Sequence, residues 1–148
     1  VFNSVFAGWN TGLLLDGTST YANATAGNLV IQNCVLSGCK VVAVNGAGNV
    51  TAAQAETFFN SGNNQTIADN ATAGITNSFY DATKTGAAAA PTSFLPASGS
   101  PLLSGASFTH AKLADNFFDK TPTFKGAFGT TDWTKEPWTN FDPQNTVY

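Results

Sequence analysis

Phe2-Asn3-Ser4-Val5-Phe6-Ala7-Gly8-Trp9 and Gln32-Asn33-Cys34-Val35-Leu36-Ser37-Gly38-Cys39 are two copies of one pattern, thirty residues apart. Asn aligns with Asn, Val with Val, Phe6 with Leu36 and Gly8 with Gly38. Each copy is followed by a second apolar run closed by a turn, Leu13-Leu14-Leu15-Asp16-Gly17 and Val41-Val42-Ala43-Val44-Asn45-Gly46. A third copy opens at Ile75-Thr76-Asn77-Ser78-Phe79-Tyr80. A unit this short cannot bury its own inner face and must stack on its neighbours. Asn suits the bend in each unit because it tolerates a left-handed backbone and can bond to its own main chain. Amides stacked on equivalent bends can then form a ladder. Asn3, Asn33 and Asn77 are the expected ladder, with Val5, Val35, Phe79, Leu13, Leu15, Val41 and Ala43 directed to the core. The competing reading is an antiparallel sandwich with coincident Asn-Ser turns.

Composition narrows the partners. Of 148 residues, 43% are hydrophobic and only 10% are charged, against about 25% charged in a typical domain. All basic residues are lysines and the net charge is −3, so there is no basic footprint for nucleic acid. No apolar run approaches the ~18 residues of a membrane span. A polar surface built from Thr, Asn, Ser and Gly suits strands, tight turns and an extracellular or outer-cell-surface setting. Val1-Phe2-Asn3 reads as the middle of a strand. The expected partner at this open N-terminal end is therefore an upstream part of the same protein or a second chain.

Between the second and third copies, Thr51-Ala52-Ala53-Gln54 is a capping-box pattern. It predicts an inserted helix over residues 52–60, within about 51–62, packed through Phe58 and Phe59. Thr85 to Ser104 is rich in Ala, Pro, Ser and Gly and reads as an extended connection. Beyond it stand Phe108, Phe117, Phe118, Phe124, Phe128, Trp133, Trp138, Phe141 and Tyr148. These aromatics are expected to cap a stack whose end would otherwise expose core and strand edges. The alternative is a platform on which extracellular glycan stacks, with Trp9, Trp133 and Trp138 as the contact residues.

The stretch Val1 to Leu13 resembles one coil of the right-handed parallel β-helix, the pectate-lyase-like solenoid. Lys125 to Thr134, with Trp138 to Gln144, resembles the C-terminal end of uncharacterised secreted β-helix proteins of Bacteroidota. The resemblance implies an all-β fold with parallel β-helix coils over 1–104, the helical insert, and a C-terminal aromatic capping tail over 105–148. It also implies secretion and a non-catalytic structural or adhesive role at the cell surface. The alternative is one part of a polysaccharide lyase or hydrolase, or of a carbohydrate-binding protein, whose active face lies upstream.

No residue reads as catalytic, cofactor-binding or metal-ligating. Asp16, Glu56, Asp69, Asp81, Asp115, Asp119, Asp132, Glu136 and Asp142 are scattered rather than repeated at one position. His110, the single histidine, has neither metal-ligand spacing nor a nucleophile elbow around it. Cys34 and Cys39 would lie about 16 Å apart on a straight strand, too far to bridge. The bend at Ser37-Gly38 leaves open both a disulfide and two buried free thiols.

Overall fold

The computed structural model describes residues 1–43 and 50–146. Val44, Asn45 and Gly46 of the second apolar run, and Tyr148 of the aromatic block, lie outside the described residues. The chain forms β1 (Val5–Ala7), β2 (Thr11–Leu15), α1 (Thr18–Thr25), β3 (Val35–Ser37), β4 (Lys40–Ala43), α2 (Ala52–Ser61) and β5 (Gln65–Ile67). Four short 3₁₀ turns follow, at Gly86–Ala89, Pro101–Leu103, Ala111–Leu113 and Trp133–Lys135.

Among the described residues all strand pairs are parallel. β1, β3 and β5 make one sheet in that order, and β2 pairs with β4 in a second. Val5, Val35 and Gln65 are in register, as are Phe6, Leu36 and Thr66. Parallel neighbours need long crossovers, and here each crossover carries a strand and a helix: β2 and α1, then β4 and α2. Asn3, Asn33 and Asn63, with φ of 51°, 55° and 54°, lead into the three strands of the larger sheet. Asn is the residue besides glycine that most readily takes this left-handed conformation.

β3 lies between two strands and is buried on both faces, as internal parallel strands usually are. Val35 packs with Ile67, Ala73, Ile75 and Leu102, while its neighbour Leu36 packs on the other face with Cys39 and Phe59. α2 closes that second side. Ala55 and Phe59, one turn apart on the same helical stripe, are its buried residues. Ala55 joins Leu15 and Val50, with Tyr21, Leu29 and Phe58 packed around them. The Thr51 hydroxyl accepts from Gln54 N at 3.2 Å and the Gln54 amide oxygen accepts from Thr51 N at 2.8 Å, so both halves of the capping box form.

This architecture overturns the expected all-β, right-handed parallel β-helix with its single inserted helix and aromatic cap. The strands are only three to five residues long and form two small sheets. Two helices, not one, cover the sheet-forming segments, and α1 was not anticipated. Among the described residues the strand ladder ends at Ile67. The rest of the chain consists of turns and 3₁₀ segments broken by Pro91, Pro96 and Pro101 and by left-handed glycines at 74, 86, 99, 105 and 126. Proline cannot donate to a ladder, so this composition cannot extend the sheets. Phe79, expected in the core, is 36% exposed.

Candidate functional site: an aromatic column beside a buried lysine

Five rings from the C-terminal half and its preceding loop form a column. Trp138 stacks on Trp133 (centroids 5.5 Å apart, planes 8° apart), and Trp133 on Phe128 (4.9 Å, 10°). Phe128 stacks on Phe94 (5.1 Å, 22°), and Phe94 on Phe141 (5.9 Å, 17°). These separations are those of offset stacking, which spares the rings the repulsion of a face-to-face sandwich. Trp138 ends the column and is 68% exposed, whereas Trp133 is 39% exposed.

Short polar links fix the rings. Asp132 caps the 3₁₀ turn that carries Trp133, accepting from Thr134 N and the Thr134 hydroxyl through one oxygen. Its other oxygen accepts from Phe94 N at 3.2 Å. One carboxylate therefore ties the loop of Phe94 to the turn of Trp133. The Thr134 hydroxyl bond, with the two backbone bonds, holds the Asp132 carboxyl below its usual pKa. Trp133 Nε1 donates to Ala127 O at 3.1 Å. The Thr139 hydroxyl donates to Thr134 O and Glu136 O, fastening the segment that carries Trp138.

Phe94 and Phe128 also wall a cavity of about 270 Å³ whose other faces include Val5, Ala7, Ile75 and Leu102. Lys125 lines the same cavity and is only 8% exposed. Its backbone N–H bonds Leu102 O at 2.8 Å, and its side chain runs against Gly105. Among the described residues the ion pair is Lys84–Asp81 at 3.1 Å, and no carboxylate or other acceptor takes a bond from the Lys125 ammonium. Among the described residues no buried polar side-chain atom is left without a partner, so the ammonium keeps contact with solvent.

The residues singled out from sequence are placed as follows. The Asn33 amide oxygen accepts from Asn63 Nδ2 at 2.8 Å; the neighbour in that position is Asn63, not Asn77. The Asn3 side chain instead clamps Ser107, accepting from its N at 2.9 Å and donating to its O at 3.0 Å. Asn77 contributes a backbone carbonyl to Ser93 N. Cys34 and Cys39 are both buried and free. Cys34 Sγ donates to Gln32 O, and Cys39 Sγ to Ser37 O and Phe6 O. Trp9 is 71% exposed and stands outside the aromatic column. The His110 ring lies against Phe2 (centroids 4.9 Å apart, planes tilted by 47°) and caps a 3₁₀ turn through Nδ1, which accepts from Lys112 N.

Among the described residues, no group of three or more His, Cys, Asp or Glu side chains is placed to hold a metal ion. Among the described residues no helix is long and apolar enough to cross a membrane. Sequence reasoning named Trp133 and Trp138 but missed Phe94 and Lys125; Lys125 stands two and three residues before Ala127 and Phe128 and eight before Trp133, spacings that carry no local pattern to reveal it. No protein family matches the chain, and neither a curated protein nor a solved structure does.

Proposed function

We propose that this chain is an adhesive element of the extracellular or cell-surface space that holds sugar rings against the open end of its aromatic column. The observation that carries the reading is Trp138: an indole stacked on Trp133 through one face and 68% exposed. A pyranose presents a flat face of C–H groups that matches an indole in size and is attracted to its electron-rich surface. An exposed aromatic surface of this kind is also the usual mark of an interaction site. The column supports that use mechanically, because four further rings and the Asp132 link hold the terminal indole in one orientation before any ligand arrives. Preorganisation of this sort reduces the ordering cost of binding.

The test is tryptophan fluorescence during titration with a panel of neutral and acidic oligosaccharides. Saturable quenching or shift by at least one glycan, lost in Trp138→Ala and retained in Trp9→Ala, is the expected result. Absence of any response across the panel, or a response unchanged in Trp138→Ala, would overturn the reading.

A further inference from the structure

We propose that the cavity between β1 and the inner rings of the column is a binding site for a small organic carboxylate with a flat apolar body, its carboxylate paired to Lys125. This goes beyond the sugar-binding role of Trp138 and rests on Lys125 and the inner rings of the column rather than on its exposed end. Lys125 buries its hydrocarbon stem while its ammonium, unbonded among the described residues, still meets water, the arrangement by which a lysine keeps its charge at the edge of an apolar surface. Lys125 is 8% exposed and, among the described residues, has no anionic or hydrogen-bonding partner. A cation free to pair at the border of an apolar cavity is matched by an acceptor carrying negative charge on an apolar body.

The remaining walls define the rest of the ligand. Val5, Ala7, Ile75 and Leu102 offer hydrocarbon, and Phe94 and Phe128 offer ring surface. Ser78 also lines the cavity, its hydroxyl donating to Ser93 O at 3.1 Å; the hydrocarbon and ring walls carry no side-chain hydrogen-bonding group. A volume of about 270 Å³ is at the lower margin of ordinary ligand pockets and accommodates one aromatic ring bearing an acid group. Inorganic anions would satisfy the ammonium but leave the apolar walls unused.

The test compares sodium benzoate with benzamide, its neutral isostere, and with sodium phosphate, by isothermal titration calorimetry and thermal shift at constant ionic strength. Benzoate is expected to bind saturably and raise Tm, and benzamide to bind about tenfold or more weakly, the discrimination of one charge-assisted bond. Lys125→Met should abolish the preference for benzoate over benzamide. Ala7→Leu narrows the cavity and keeps the lysine; it should weaken benzoate binding even if Lys125→Met fails to fold. Equal binding of benzoate and benzamide, no saturable benzoate binding, phosphate binding as tight as benzoate, or an unchanged benzoate affinity in Ala7→Leu would each overturn the proposal. Loss of benzoate binding leaves the Trp138 glycan response intact, so the two sites fail separately.

Discussion

Asn63 donates from Nδ2 to Oδ1 of Asn33 at 2.8 Å, and both residues hold a left-handed backbone at the start of neighbouring strands. Side chain and backbone therefore contribute separately at one corner, and two substitutions can separate them. Asn33→Ala removes the amide bond and also forces a Cβ-bearing residue without Asn's local compensation into left-handed space, for a combined cost of about 2–3 kcal/mol. Asn33→Gly removes the bond but keeps the conformation accessible, so about 1 kcal/mol is expected. Urea denaturation should show this difference between the two variants; equal losses would mean that the backbone conformation contributes nothing at this corner.

Two glycines separate space from conformation in the same way. Gly62 has an ordinary φ of −88°, yet a Cβ placed on it would stand 2.0 Å from Ile31 O, a backbone atom. Gly27 has φ of +76° with nothing near it. Gly62→Ala must push apart the end of α2 and the chain before Gln32, at an expected cost of about 3 kcal/mol or more. Gly27→Ala costs about 1 kcal/mol, the price of a left-handed alanine. Phe59→Ala, which empties the core between α2 and β3, sets the upper reference at about 3–5 kcal/mol. Chemical denaturation should rank the three as Phe59 and Gly62 well above Gly27.

The thirty-residue spacing is legible at Asn3 and Asn33 because Val, an apolar residue and Gly recur with it. The spacing continues to Asn63, but β5 reads Gln65-Thr66-Ile67 where β3 reads Val35-Leu36-Ser37. Gln65 and Thr66 are exposed at the sheet edge, so burial selects no apolar residue there and the third copy loses its signature. Asn77 stands out instead because Phe79 and Tyr80 follow it, yet these rings are exposed. The capping box of α2 reads clearly because both of its bonds close within four residues. α1 does not, since Thr18-Ser19-Thr20 are weak helix formers and the helix has no side-chain cap. The column is half legible: an aromatic block is plain in composition, but Phe94 joins it through the Asp132 link, across 38 residues. Lys125 reaches its cavity only because the chain folds residues 5, 75, 102 and 125 together, a long-range outcome with no local period.

The two cysteines give a prediction about reactivity. Burial raises the pKa of the Cys34 thiol, against smaller opposing effects from nearby backbone and positive charge. At neutral pH the nucleophilic thiolate is therefore scarce as well as enclosed. A thiol-specific chromogenic reagent should react slowly with the native protein and titrate two thiols after unfolding without reductant. Zero thiols under those conditions would show a disulfide in place of the free pair.

Acid should loosen the turns before it disrupts the strands. Asp69, Asp81, Asp119 and Asp132 each accept bonds from a Thr two or three residues on, and each carboxyl is held below its usual value by those bonds. Asp81, bonded by the Thr83 hydroxyl and backbone and by Lys84, is lowered to about 2. A carboxyl whose folded pKa is depressed contributes stability above its unfolded value, and that stability is lost as pH falls through the folded value. For Asp81 the window runs from 3.8 down to about 2. The melting temperature should be level from neutral pH to about 5 and fall below 4. Asp132→Asn should flatten part of that fall, with tryptophan emission reporting the change because Asp132 fixes the turn of Trp133. A melting temperature unchanged between pH 5 and 2 would contradict the assignment.

The column predicts unequal costs for its tryptophans. Trp138 is mostly exposed and packed on one side, so Trp138→Ala should cost under about 1 kcal/mol. Trp133 lies between Trp138 and Phe128 and donates to Ala127 O, so Trp133→Ala should cost about 2–3 kcal/mol. In the double variant the losses should fall short of additivity by about 0.5–1.5 kcal/mol, the measured range for stacked aromatic pairs. Trp9→Ala, at an exposed bend, should change stability by less than about 0.5 kcal/mol. Guanidinium denaturation of the four variants checks all of this. Strict additivity of Trp133 and Trp138 would mean that the two indoles do not stack in solution, and the preorganised end on which the glycan reading depends would be absent.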